Sequence, residues 1–221
     1  MPSPSPLLHD TYYHIYNRGV NRENIFREER NYEYFLKLYI KHIEPVAETF
    51  AYCLLRNHFH VLVRIKSEEE IRAETLRVSE KPLGSESSEG ETLKVLKTFR
   101  VLTPSQKFSD FFNAYAKAIN RAYGRTGSLF QHPFGRVSVT SDRQFWNVIA
   151  YIHQNPRKHK FVDDFREWKW SSYHSLLSEQ PTRLKRAAVL EWFGGPQRYV
   201  DLHAHWVTEA ESGWFAADDE D

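Results

Sequence analysis

Apolar and aromatic residues dominate positions 12–16, from Tyr12 to Tyr16, and their alternation predicts a β-strand. The polar run from Asn17 to Arg22 then predicts a loop turning on Gly19. Phe35, Leu38 and Tyr39 recur at helical spacing, predicting a helix capped by Asn31, running to about Glu44 and ended by Pro45. Two apolar runs, 50–55 and 58–65, are separated only by Arg56 and Asn57, which predicts an antiparallel hairpin. Residues 67–92 are polar and acidic, with a Pro, Gly and Ser-rich centre. They predict a partly mobile insertion with a short helix at 69–78. A second amphipathic helix is expected over 105–123, carrying Phe108, Phe111, Phe112, Tyr115, Ala118 and Ile119 on one face. A basic loop at 125–128 and a short strand at 136–140 follow. Ser141 or Asp142 should cap a third helix that stops near Asn155 and Pro156.

The resulting order, β, α, β, β, α, β, α, predicts an α+β fold: a ferredoxin-like antiparallel sheet sandwiched by helices. We expect one domain over 1–183 and a helical extension with an acidic tail over 184–221. With 221 residues, the chain can bury a substantial core.

Composition narrows the function classes. The single cysteine, Cys53, excludes an internal disulfide framework and a cysteine-based zinc site. Within the apolar run 50–55 it reads as a small buried hydrophobe. Residues 1–10 lack an apolar stretch behind a basic patch, and no run is long enough to span a membrane. A cytoplasmic protein is expected. The net charge is only +1. From Lys94 to Lys160, however, twelve basic residues face only Asp110 and Asp142, an excess of ten positive charges. The compensating acid gathers in 68–91 and 218–221. Such segregation suits a phosphate-attracting surface, although a solvated charged face would look the same. Aromatics make up 15% of the chain, and these can either fill a core or stack on unpaired bases.

Two spacings carry candidate chemistry. On a strand, His58 and His60 point to one side while Phe59 points to the other. Two adjacent imidazoles can share one divalent cation. Alone the pair is weak, but Val61, Leu62 and Val63 place it on a buried strand, where imidazoles need partners. On a helix, Tyr151 and Asn155 are neighbours four positions apart. A phenol is a poor nucleophile near neutrality, and a metal that polarises a phosphate lessens what it must do. Asn155 could supply an oxygen ligand, with Gln154 as the competing amide. Without the histidines, Tyr151 would read as a core aromatic and Asn155 as a helix end.

These residues resemble a known family. The segment 51–60, ending Asn57-His58-Phe59-His60, is similar to the HUH signature (His, hydrophobe, His) of one-tyrosine transposases. Tyr151-Ile152-His153-Gln154-Asn155-Pro156 resembles their nucleophile helix. Residues 13–19, 125–131 and Trp170-Ser171-Ser172-Tyr173 resemble landmarks of the branch called REP-associated tyrosine transposases. The likeness spans about 12–173, and several motifs in order are more specific than any one. It implies Mg²⁺ or Mn²⁺ held by His58, His60 and Asn155. It also implies attack by Tyr151 on single-stranded DNA beside a hairpin, giving a 5′-phosphotyrosine and a free 3′-hydroxyl. Lys117, Arg121, Arg125 and Arg136 are candidates for gripping the DNA backbone, on charge alone. Either a monomer or a homodimer is compatible with this resemblance.

Leu55-Arg56 departs from the Met-Pro usual before the Asn-His, which bears on loop shape rather than ligands. An amide third ligand would give a less negative, weaker site than a carboxylate. The competing expectation is a hairpin-binding regulator without turnover, which the presence of both histidines, the tyrosine and the amide argues against. A rolling-circle or conjugation nickase commonly positions its nucleophile differently and adds a helicase, for which this chain has no room. A structural domain with a satisfied histidine pair requires several coincidences.

Overall fold

A computed structural model describes residues 5–79 and 103–205. Four strands, β1 (Tyr12–Arg18), β2 (Ala47–Leu54), β3 (His58–Ile65) and β4 (Gly135–Val139), form one sheet in the order β2-β3-β1-β4. Every neighbouring pair is antiparallel. This is the strand order of a split βαβ unit, the ferredoxin-like arrangement that the element order predicts. The helices among the described residues are α1 (Glu29–His42), α2 (Glu68–Ser79), α3 (Pro104–Ala122), α4 (Asp142–Lys158), α5 (Tyr173–Leu177), α6 (Arg186–Phe193) and α7 (Pro196–Ala204). The remainder of the acidic insertion after residue 79, the basic residues Lys94, Lys97 and Arg100, and the acidic tail 218–221 lie outside the described residues.

The alternation along the strands builds two cores. Phe59, Val61, Val63 and Ile65 of β3, with Tyr13 and Ile15 of β1, face α1 and α3. Phe35, Leu38 and Tyr39 meet them from α1, and Phe108, Phe111, Phe112, Tyr115 and Ile119 from α3. On the other face, Leu62 and Cys53 meet Val148, Ile149 and Ile152 of α4. Val189, Phe193 and Tyr199 of α6 and α7 complete this second core. Cys53 is fully buried there, and burial pushes its thiol well above the usual value.

The landmark around Trp170 is an edge clamp. Leu54 N–H donates to Trp170 O, and Ser172 N–H to Tyr52 O, each at 2.9 Å. The Trp168 indole N–H donates to Leu54 O. These bonds occupy backbone groups that an open β2 edge would leave unpaired.

Two helix boundaries differ from expectation. Asn31 does not cap α1; Glu28 does, and Asn31 is the third helical residue of a reciprocal capping box. Helix α4 starts where expected, with Ser141 as its cap and Gln144 closing the box, but it does not stop at Asn155 and Pro156. It runs two residues beyond proline, to Lys158. Proline lacks only one N–H, so in a last turn it removes a single helical bond. His159 N–H still donates to Asn155 O at 2.9 Å.

Candidate active site

The second face of β1 and β3 carries His14, His58 and His60, all buried. Helix α4 crosses this face and lays Tyr151 against it. The Tyr151 ring stands edge-on to His60, with centroids 5.5 Å apart, and edge-on to His14 at 5.8 Å. The rings of His58 and His60 are perpendicular and 5.1 Å apart. Histidines and tyrosine thus converge within one chain.

Hydrogen bonds select which nitrogen each histidine presents. His58 Nδ1 lies 2.7 Å from Asn57 Oδ1, which can only accept, so Nδ1 carries the proton. His60 Nδ1 lies 3.0 Å from His14 Nε2. If His60 donates in that bond, both histidines offer Nε2 as a lone pair. His14 is fully buried and its pKa is lowered to about 3 by desolvation, so it is neutral and able to accept. His58 and His60 are also pushed well below the usual value, first by burial. Electrostatic interactions with His159 and Arg18 act in the same direction on both. Neutral imidazoles are the form that binds metal.

Asn155 completes the group. Its Nδ2 donates to Tyr151 O at 2.8 Å, an i to i−4 bond that fixes the amide. The side chain interacts with the His58 ring and opposes the lowering of its pKa. Yet Asn155 Oδ1 and His58 Nε2 are both buried without a well-formed hydrogen bond to any described residue. Such atoms are costly unless a partner arrives. Gln154 points elsewhere: its Nε2 donates to His203 O at 2.7 Å, in the second core. No group of three His, Cys, Asp or Glu side chains placed to hold a metal occurs among the described residues. A cation site here therefore depends on the amide. The donor set, two neutral imidazoles and an orphaned amide oxygen, fits one divalent cation.

Four neighbours were not singled out from the sequence. His14 and Asn57 orient the histidines, and the register that sets His14 diagonal to His60 is legible only once β1 and β3 are paired. Lys158 Nζ lies over the Tyr151 ring, 5.0 Å from its centre, and the His159 ring packs edge-on to His58 at 4.6 Å. The spacing of Lys158, seven residues after Tyr151, could have signalled it; ending the helix at Pro156 hid it.

The four basic candidates divide. Lys117 and Arg121 are exposed on α3. Arg125 is mostly covered, paired with Glu23 at 2.5 Å and donating to Asn120 Oδ1 at 2.7 Å. Arg136 lies over the Phe134 ring and donates to Ser5 O at 3.0 Å.

A four-stranded sheet, a His-x-His strand and a tyrosine helix laid across it are the arrangement expected of the HUH-type, tyrosine-bearing proteins that the motifs resemble. Comparison with known proteins narrows this. No family model matches the chain. A Haemophilus influenzae protein named "Putative REP-associated tyrosine transposase" is 25% identical over 127 residues, covering 58% of this chain and 59% of that protein. The match thus spans under two thirds of the relative's length. A solved REP-associated tyrosine transposase, bound to a REP hairpin, superposes with a TM-score of 0.55 at 14% identity, covering 82% of this chain and 88% of that one. At that identity the likeness is one of fold. Both comparisons arrive at the REP-associated tyrosine transposases, the branch that the motifs resemble.

Proposed function

We propose that the chain cuts and rejoins single-stranded DNA beside a hairpin, with Tyr151 as nucleophile. The observation that carries this reading is the packing of the Tyr151 phenol against His60, with the orphaned Asn155 oxygen beside His58, on one sheet face. Tyr151 Oη attacks phosphorus and loses its proton. The new O–P bond leaves a 5′-phosphotyrosine, and the departing 3′ oxygen takes a proton to become a free hydroxyl. Reversal by a 3′-hydroxyl rejoins strands.

His58, His60 and Asn155 would hold Mg²⁺ or Mn²⁺, which when bound polarises the scissile phosphate and stabilises its developing charge. The ammonium of Lys158 lies over the phenol ring, 5.0 Å from its centre, and places a positive charge beside the attacking group. Because Tyr151 and its histidines share a chain, one monomer can carry the whole site. Tyr151 is fully buried, so substrate reaches it only after the ring or the end of α4 shifts. Exposed Lys117 and Arg121 suit backbone contacts; Arg125 and Arg136 would have to exchange present partners for phosphate.

Covalent trapping tests this. The full chain is mixed with labelled hairpin DNA from around its own gene and Mn²⁺, then run on a denaturing gel. We expect a protein–DNA adduct that falls at least about 100-fold in Tyr151→Phe and vanishes with EDTA. Tight hairpin binding without any adduct would overturn cutting and leave a binding-only regulator.

A further inference from the structure

The histidines open onto a cleft of about 180 Å³ lined by Tyr16, Asn17, Arg18, Gln131, Pro133 and Gly135. Its size is below the roughly 300–1,000 Å³ of a drug-sized ligand site, and suits one planar group. Tyr16 is its aromatic wall. In register it pairs with His60 on one side and Gly135 on the other. Its ring lies 6.0 Å from His60 and only 30° from parallel to it. The tip of the ring crosses directly over Gly135: a Cβ there would come within 2.1 Å of Tyr16 Cζ. A glycine on an edge strand costs stability by leaving a packing site empty. Here the empty site is what lets an aromatic ring lean across β4 while remaining partly exposed at the mouth of the cleft.

A second observation points to a ligand. Asn17 Nδ2 is buried, lines the same cleft and has no hydrogen-bond partner among the described residues. Gln131, exposed on the rim, adds an amide with both donor and acceptor capacity. A flat aromatic, an unmet N–H donor and an amide beside a phosphate-directed site match an unpaired nucleobase, which offers a π-face and carbonyl or ring-nitrogen acceptors.

Resting on the cutting reading, we propose that this cleft is a base subsite: Tyr16 stacks on the base of the nucleotide adjoining the scissile phosphate, and Asn17 and Gln131 meet its polar edge. Tyr16 thereby sets the register of the strand against Tyr151 and contributes to which base is accepted.

The test combines trapping with binding. Hairpin oligonucleotides from around the gene receive an abasic site at each nucleotide flanking the cut, one at a time. Adduct rate and affinity, by fluorescence anisotropy, are measured for the wild type, Tyr16→Phe and Tyr16→Leu. In the wild type, one abasic position should lower the adduct rate and affinity about tenfold, the size of one lost base–aromatic stack. Tyr16→Phe should keep that penalty. Tyr16→Leu, which retains apolar bulk, should lose about tenfold on intact DNA and show no further loss at that abasic position. An undiminished abasic penalty in Tyr16→Leu, or no penalty at any flanking position in the wild type, overturns the subsite. If no protein forms an adduct, the cutting reading fails and the affinity series alone decides the subsite by the same criteria.

Discussion

Among the described residues, the buried pairs His58–His60 and His153–His203 are built oppositely. His153 and His203 sit in the second core, in a closed chain of hydrogen bonds. Ser172 Oγ lies 2.7 Å from His153 Nε2, His153 Nδ1 lies 2.9 Å from His203 Nε2, and His203 Nδ1 lies 2.7 Å from Tyr199 O. One tautomer set satisfies all three: Ser172 donates to His153, His153 to His203, and His203 to a carbonyl. Every imidazole nitrogen is used. At the end of β3, by contrast, His58 has Nδ1 tied to Asn57 while its Nε2 lacks a partner among the described residues. Burial and lowered pKa values are common to both pairs. Satisfaction is what distinguishes a structural pair from a candidate ligand pair, because only the latter leaves a lone pair for something to be bound.

The largest effect that would sharpen this contrast is structural. His203→Ala should remove a buried ring, strand the His153 N–H, and cost about 3–5 kcal/mol, read from urea denaturation. Metal-dependent behaviour of the remaining folded protein should persist; a stability loss under about 1 kcal/mol would show that the closed chain is not structural.

Acid provides a second, slightly smaller effect. His203 has its pKa lowered from 6.5 to about 4, chiefly by burial, with its bond to Tyr199 O opposing. Above pH 6.5 the ring is neutral folded and unfolded alike, so it costs nothing. As pH falls from 6.5 towards 4, the unfolded chain binds a proton that the folded chain refuses, and stability drops by about 3 kcal/mol. Denaturation midpoints across pH 7 to 4 should fall accordingly, and His203→Gln should flatten part of that slope. An unchanged slope would place the acid sensitivity elsewhere.

The smallest effect belongs to the open pair. Saturating Mn²⁺, at about 100 times its dissociation constant, should stabilise the wild type by about 2.7 kcal/mol, seen as a rise in melting temperature. Substituting both His58 and His60 by Ala should abolish the rise. Asn57→Ala should weaken Mn²⁺ binding about 10–100-fold, since it removes the group orienting His58, and should cost about 1–3 kcal/mol of metal-free stability by stranding the His58 Nδ1–H. A melting shift that survives loss of both histidines would assign the cation to another place.

Much of this was legible along the chain, for a physical reason. Period-two alternation alone assigns His58 and His60 to one face of a strand, and Tyr151 and Asn155 are helical neighbours whatever surrounds them. The strand order and the two helical layers also follow from local periodicity, short connections and the hairpin at 56–57. Boundaries were less legible. The competition at α1 between Glu28 and Asn31 is settled by reciprocal bonds, and a late proline was tolerated in α4 because only one helical bond was at stake.

Tertiary structure alone decided what the chemistry-bearing residues face. Sequence spacing cannot say whether a buried histidine's second nitrogen finds a hydroxyl, as in His153, or no well-formed hydrogen bond among the described residues, as in His58. Nor can it distinguish Asn155, turned towards His58, from Gln154, turned towards His203. His14, Asn57, Lys158 and the Tyr16–Gly135 pair enter the site through register and packing between segments far apart in sequence. Residue type and local period are properties of the chain itself; the partner that satisfies or strands a polar atom is a property of the fold.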